Sequence, residues 1–321
     1  MKKLALMLIL VVVTMTSCHK DDVQQPNDKR LKQIITVAYS DNGGYFTTGE
    51  VYTTNYVWED SLLVSAGQAI HYDGDTISLG YLKAIKRNGR IEEIYNTDPE
   101  ALHFHWTYSY NSEGKIESIE EMCDICLPIT TTYTWNNGNI LRAHTEYYSS
   151  DLPNELHEYD TYYTYDDKQT PFKGMEDIGL ILAAQGAINK NNILTSVTMT
   201  DYDTTSIIRN YTYKGNYPVI EYSQTITSNP LNTTIPTKFY IVYMDGTSAN
   251  IPQFCTITVD ANRYTEAGYK ARGSGTYEYG ATVILQAFER DFIRWDDGNT
   301  DNPRTVIARG DATYTAIYTD K

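Results

Sequence analysis

Basic residues are scarce in this chain: 26 Lys and Arg stand against 41 Asp and Glu in 321 residues, a formal charge of −15. Such a surface repels phosphate backbones and anionic headgroups on average, so no nucleic-acid partner is expected. Cysteine is sparse too, with four residues in all, which excludes a disulfide-dense scaffold. Long apolar runs are missing. The one unbroken stretch, Leu4 to Val13, covers ten residues and is too short to span a bilayer. There is no glycine-rich phosphate loop, nucleophile–base pair or zinc-protease motif. Acidic neighbours such as Glu92-Glu93 and Glu120-Glu121 fall in presumed strands and point to opposite faces, the wrong geometry for a paired acid and base. Neither catalysis nor a cofactor is expected.

The N-terminus is informative. Lys2 and Lys3 precede the apolar run, and Met15-Thr16-Ser17-Cys18 follows it, an order that resembles the signal segment and lipobox of bacterial lipoproteins. The resemblance implies cleavage after residue 17 and acylation of Cys18, which becomes the new N-terminus; the bland alternative is a plain secretory signal with an incidental cysteine. Loss of the two lysines takes the charge from −15 to −17. Next, His19-Lys20-Asp21-Asp22 resembles the lysine-acidic export tag (Lys20, Asp21, Asp22) of Bacteroidota lipoproteins displayed on the outer face of the outer membrane, with the periplasmic face as the alternative. Residues 18–33 then read as a lipidated, polar tether, and the membrane is a partner through the lipid only.

Tyrosine supplies 29 residues, with threonine abundant beside it, and both favour strands. A loose unit recurs: aromatic alternation, a polar turn ending in glycine, then a β-branched strand. Tyr108-Ser109-Tyr110 leads to Gly114-Lys115-Ile116, and Tyr133-Thr134-Trp135 to Gly138-Asn139-Ile140; weaker versions lie at Ile85 to Ile91 and Tyr211 to Gly215. Gly89, Gly114 and Gly138 are 25 and 24 residues apart, about one two-strand hairpin with its connections. The fold predicted is all-β, a strongly curved or barrel-like antiparallel meander over residues 34–250. One segment differs. After Pro171, the residues Ile178, Ile181, Leu182 and Gln185 follow helical spacing up to a polar cluster at Asn189 to Asn192, predicting a short helix that packs on or plugs one end of the sheet.

The Tyr-x-Tyr hairpins, Tyr163-Thr164-Tyr165-Asp166-Asp167-Lys168, Pro171-Phe172-Lys173-Gly174 and Asn191-Asn192-Ile193 together resemble a Bacteroidota lipoprotein family of unknown function with a porin-like fold, over about residues 34–245. Thr170 stands where that pattern carries asparagine. The resemblance implies a many-stranded, water-facing barrel-like sheet and brings no active site. The last segment, 251–321, resembles a divergent internalin-type B-repeat. Its markers are Gly273-Ser274-Gly275, Thr282-Val283-Ile284-Leu285, Phe292-Ile293-Arg294-Trp295-Asp296-Asp297-Gly298 and Ala312-Thr313-Tyr314. That likeness implies a small β module acting as a spacer or protein contact. Trp295 reads as its core plug and Asp297-Gly298 as a hairpin turn.

Four candidate sites come from residue type alone. Cys123-Asp124-Ile125-Cys126 could join His103 and His105 across a hairpin as a tetrahedral zinc set, with a turn disulfide or free thiols as the simpler alternatives. Asp296 to Asp301 carries enough oxygens for calcium, but lacks the Asp-x-Asp-x-Asp-Gly spacing and reads better as a polar turn. Asp60-Ser61-Leu62, Asp75-Thr76-Ile77 and Asp203-Thr204-Thr205 resemble O-glycosylation sites of exported proteins. The tyrosine stripes suit either stacking on sugar rings or cross-strand ladders. The function expected is a surface-exposed lipoprotein with a non-catalytic binding, adhesion or contact role toward a protein or glycan ligand; the alternative is a glycan-binding accessory protein.

Overall fold

The computed structural model describes residues 29–41, 46–100, 103–123, 127–148, 155–182, 188–200, 203–228, 234–262, 271–288 and 291–319. Cys18, Lys20, Asp21, Asp22 and Cys126 lie outside them. Among the described residues no helix is long and apolar enough to cross a membrane.

The chain is nearly all β. Six strands come first: β1 (Leu31–Asp41), β2 (Phe46–Glu59), β3 (Leu62–Ala66), β4 (Ile70–Asp73), β5 (Thr76–Leu79) and β6 (Leu82–Arg87). The tyrosine-rich meander follows as β7 (Arg90–Asn96), β8 (Phe104–Tyr110), β9 (Ile116–Cys123), β10 (Ile129–Asn136), β11 (Asn139–Tyr148) and β12 (Leu156–Gln169). The helix α1 (Glu176–Ile181) interrupts, and β13 (Asn191–Met199), β14 (Thr204–Lys214), β15 (Tyr217–Thr227) and β16 (Thr234–Tyr243) complete one 16-stranded sheet. Its order is β3-β2-β1-β16 and then down in chain order to β4. The sixteenth strand thus returns antiparallel to the first, Ile34 opposite Ile241. The two edges meet through a bridge between Ser65 and Ala69, so the sheet is nearly closed, as the hairpin pattern predicts.

Alternation decides what faces in. In β8, Trp106, Tyr108 and Tyr110 pack against the core, and their partners on β9 are Glu121, Ile119 and Ile116. His105, Thr107 and Ser109 take the other face. Small hydroxyls knit neighbouring strands on that outer side: Ser109 and Ser118 are 2.7 Å apart and Thr164 and Thr195 2.6 Å. At the turns, Gly89, Gly114 and Gly138 adopt φ of 79°, 78° and 84°, which a residue without Cβ reaches at no steric cost. The outer face of this region carries mostly polar residues such as Thr107, Ser109, Ser118, Glu93 and Glu120, with Ile85, Tyr95 and Met122 among them, while the inner face holds Ile91, Ile94, Ile116 and Ala84. A lipid-facing barrel has the opposite arrangement. Strands β4 and β5 have four residues each, roughly 13 Å, about half of an apolar membrane band.

The interior is plugged. Residues 171–174 form a turn, and α1 then presents Ile178 and Ile181 to the same core cluster as β4–β9. The motifs that carry the family resemblance are the frame of this plug. Asp166 accepts hydrogen bonds from the Asn192 backbone (3.1 Å) and side-chain amide (3.0 Å) and from the Tyr213 hydroxyl. Asn139 and Asn191 bond each other reciprocally at 3.0 Å, and Asn189 accepts from the Ile140 N–H at 2.8 Å. Thr170, the departure from the family pattern, still caps the turn by accepting from the Phe172 N–H at 3.4 Å.

The C-terminal strands form separate sheets. β17 (Phe254–Ala261), β19 (Gly275–Glu278), β21 (Phe292–Trp295) and β23 (Ala312–Tyr318) order as β19-β17-β23-β21, with β17 parallel to β23. β18 (Ala271–Arg272), β20 (Thr282–Ala287) and β22 (Arg304–Ile307) make the other sheet. Trp295, Leu285, Val283 and Ile257 lie in one buried core here, and β20 alternates as its sequence predicts. The module is docked on the barrel. It covers part of the barrel's outer wall, where Ile35, Val37 and Tyr240 pack with Phe254. There the Tyr240 hydroxyl donates to Glu278 at 2.8 Å and Lys238 pairs with Glu278 at 3.1 Å.

Candidate functional site

The zinc set does not assemble. The predicted β8–β9 hairpin is present, but His105 lies opposite Met122 while Cys123 lies opposite Phe104. Directly opposed residues share a face and neighbours along a strand do not, so His105 points outward and Cys123 inward. His105 instead sits 3.6 Å from Glu93. Cys123 is disulfide-bonded, and a disulfide sulfur is no thiolate ligand. The candidate His103, His105, Cys123, Cys126 is corrected on both counts, with Cys126 outside the described residues.

The Asp296–Asp301 segment is a hairpin turn. The Gly298 N–H bonds the Trp295 carbonyl at 2.9 Å, Asn299 N–H bonds Asp297, and Arg304 forks onto the Asp297 carboxylate. Its oxygens are engaged within the turn and with Arg304. Asp60 and Asp75 occupy turns before β3 and β5, and Asp203 precedes β14. The tyrosine stripes turn inward. Tyr110 donates to the Ile91 carbonyl and Tyr211 to the Ile193 carbonyl. Burial pushes the Tyr110 hydroxyl up to about 12, and those of Tyr108, Tyr133 and Tyr211 higher. These rings build the wall and are not an exposed platform for sugars.

What sequence reasoning missed is the space the wall encloses. A pocket of about 570 Å³ lies between α1 and the inner face of β6–β10. Ile94, Trp106, Tyr108, Ile119, Ile129 and Tyr133 form its wall, and Leu180, Ile181, Leu182 and Ile188 its lid. Thr131 and Glu121 add polar groups to the wall beside the hydroxyls of Tyr108 and Tyr133 and the indole of Trp106. The Lys86–Asp177 ion pair ties α1 to β6 beside it. The alternation of aromatic and β-branched residues in β8–β10 carried the signal for an apolar inner face. The gap left by a short helix inside a wide barrel carried none.

A second pocket of about 440 Å³ lies beyond the plug, against β1, β14, β15 and β16. Here Arg209 Nε is 3.3 Å from Glu221, and desolvation pushes the Glu221 carboxyl up against the pull of Arg209. Arg209 Nη1 is buried without a hydrogen-bond partner.

No family model and no curated protein matches the chain. Among solved structures it is similar to a porin-like protein from Bacteroides vulgatus ATCC 8482, 12% identical over 67% of this chain and 99% of that one, with a TM-score of 0.47. It is also similar to a porin-like protein from Bacteroides uniformis ATCC 8492, 12% identical over 67% of this chain and 97% of that one, with a TM-score of 0.45. The architecture given above rests on the chain's own sheet.

Proposed function

We propose that this is an envelope lipoprotein, anchored through Cys18 and presented at the outer membrane surface, whose barrel is a non-catalytic binding module for a small apolar molecule. The observation that carries the reading is the 570 Å³ pocket, a size ordinary for small-molecule sites and lined as they are, mostly apolar with a few polar groups. Glu121 and Thr131 would orient a polar end of the ligand while the rings of Trp106, Tyr108 and Tyr133 hold its apolar body. The docked C-terminal module supports a contact role toward a second protein, since it presents its remaining faces to solvent. Glycan binding is the weaker reading, because the tyrosine stripes it would use lie inside the barrel.

The test is displacement of N-phenylnaphthylamine, a probe that brightens in apolar sites, from the protein carrying Cys18→Ala. Saturable 1:1 binding, competed by long-chain fatty acids or alcohols and weakened by Thr131→Trp, is expected. Absence of saturable binding would sink the reading. Anchoring is read separately by incorporation of labelled palmitate, which Cys18→Ala should abolish, and display by protease shaving of intact cells.

A further inference from the structure

On the outer wall of the barrel, away from both pockets, strands β11 and β12 pair with His144 opposite Asp160 and Glu146 opposite Glu158. All four side chains share the outward face. His144 Nδ1 lies 2.9 Å from Asp160 Oδ1. Asp160 also takes a bidentate fork from Arg142, at 2.7 and 2.8 Å, and accepts from the Tyr162 hydroxyl at 3.1 Å. A carboxylate held by a guanidinium has no proton to give, so the imidazole must donate its Nδ1–H to it. The 3.3 Å approach of Arg142 Nη2 to Nδ1 is then a contact, the guanidinium hydrogens being directed to the carboxylate. In the neutral ring the lone pair therefore sits on Nε2.

That lone pair meets two more acceptors. Nε2 lies 3.4 Å from Glu146 Oε1 and 3.7 Å from Glu158 Oε2, and the three ligand atoms all fall within 4.8 Å of one another. Protonated, Nε2 donates to these glutamates; neutral, its lone pair and the two carboxylates leave a place for a cation among them. The 3.4 Å between Nε2 and Glu146 suits one, while Glu158 at 3.7 Å lies somewhat wider. A tetrahedral zinc with bonds of about 2.0–2.1 Å sets its ligand atoms about 3.3–3.4 Å apart. A carboxylate that receives the far N–H of a ligating histidine is the usual support of such a ligand. The formal charge also suits a divalent ion, since the two glutamates carry −2 while Asp160 is neutralised by Arg142.

We infer that His144 Nε2, Glu146 and Glu158 form a surface site for a divalent transition-metal ion of the zinc type, with Asp160 and Arg142 as positioning residues and one coordination position open. An open position on an exposed wall is where a ligand from a second molecule completes the shell, so the site would serve metal-bridged contact or metal capture.

The experiment is competition of zinc against a chromophoric chelator, using protein that carries Cys18→Ala and no histidine tag. One zinc per chain is expected. His144→Ala should weaken binding by about 100-fold or more and Asp160→Asn by about 10- to 100-fold, with Glu158→Gln in between and the far-ultraviolet spectrum unchanged. His105→Ala, on the same barrel face, should leave binding as it was. Less than about a tenth of an equivalent of zinc at saturation, or equal affinity of the His144→Ala protein, would overturn the assignment. A loss on His105→Ala matching that on His144→Ala would do the same.

Discussion

Trp295→Ala is the sharpest test of how this chain is built. The indole is fully buried in the C-terminal core, its ring centroid 5.5 Å from that of Phe292, and its Nε1–H bonds the Asp301 carbonyl at 2.9 Å. Truncating a buried tryptophan costs about 3–5 kcal/mol, and the carbonyl left without its donor adds roughly 1–3 kcal/mol if it stays dry. A loss of about 4–8 kcal/mol is therefore expected. The module runs from Phe254 to Tyr318, 65 residues, and at roughly 0.05–0.15 kcal/mol per residue it holds about 3–10 kcal/mol in total. The variant should sit near its unfolding midpoint at room temperature. The barrel's main core is a separate cluster, joined to the module through the docking contact of Ile35, Val37 and Tyr240 with Phe254. Limited proteolysis with intact-mass readout should then show loss of residues beyond about 250 while the 16-stranded sheet stays protected. Trp295→Phe, which keeps the ring and removes the donor, should give a milder loss of about 1–3 kcal/mol. If Trp295→Ala leaves the module resistant, or if barrel and module unfold together in one transition, the claim of two independent cores fails.

Other expectations follow from single groups. Tyr243→Phe removes the buried hydroxyl that donates to the Pro218 carbonyl at 2.9 Å and should cost about 1–3 kcal/mol in urea unfolding of the barrel; an unchanged midpoint would show that water replaces the bond. Hydrogen bonds from Arg304 hold the Asp297 carboxyl below its ordinary range, and one from Lys29 does the same for Asp245. A depressed carboxyl stabilises above its unfolded value, near 4, and loses that contribution as the pH falls through the folded one. Hydrogen exchange in the 296–304 turn should therefore quicken below about pH 4, and Asp297→Asn should remove that dependence. Glu221, raised by desolvation, works in the opposite sense, so Glu221→Gln should gain stability relative to the wild type as the pH rises above the unfolded glutamate value. Asp177→Asn breaks the tether of α1 to Lys86 and should speed release of N-phenylnaphthylamine with little change in global stability.

The barrel was legible because period-two alternation and turn glycines are local. Tyr108, Tyr110, Gly114 and Ile116 announce a hairpin within nine residues, and the structure builds it. Trp295 and Gly298 announce theirs in the same way. Register between strands was not legible. The zinc reading placed His105 near Cys123 correctly in sequence terms and erred by one residue, which in a strand is the whole difference between inside and outside. His144-x-Glu146 and Glu158-x-Asp160 each show the right alternation, but nothing in the sequence says that Glu146 sits opposite Glu158. Closure of the sheet by β1 and β16, and docking of Glu278 on Tyr240, join residues tens to hundreds of positions apart. No local pattern encodes such pairs.

The pocket opens to solvent on one side, so the cost of a sealed dry cavity does not apply to it; its features are a volume of about 570 Å³ and a mostly apolar lining. Water there needs two to four polar partners at each position, and the lining offers Thr131, Glu121, the hydroxyls of Tyr108 and Tyr133 and the indole of Trp106 among aliphatic side chains. The plug does not close the gap by packing more tightly, because its position is fixed from its polar base, where Asp166, Asn189 and Asn192 bind the strands that carry it. α1 has six residues, about 1.7 turns or roughly 9 Å. The polar base thus holds the plug beside a mostly apolar pocket, and the proposed binding of a molecule with an apolar body and one polar end rests on that arrangement.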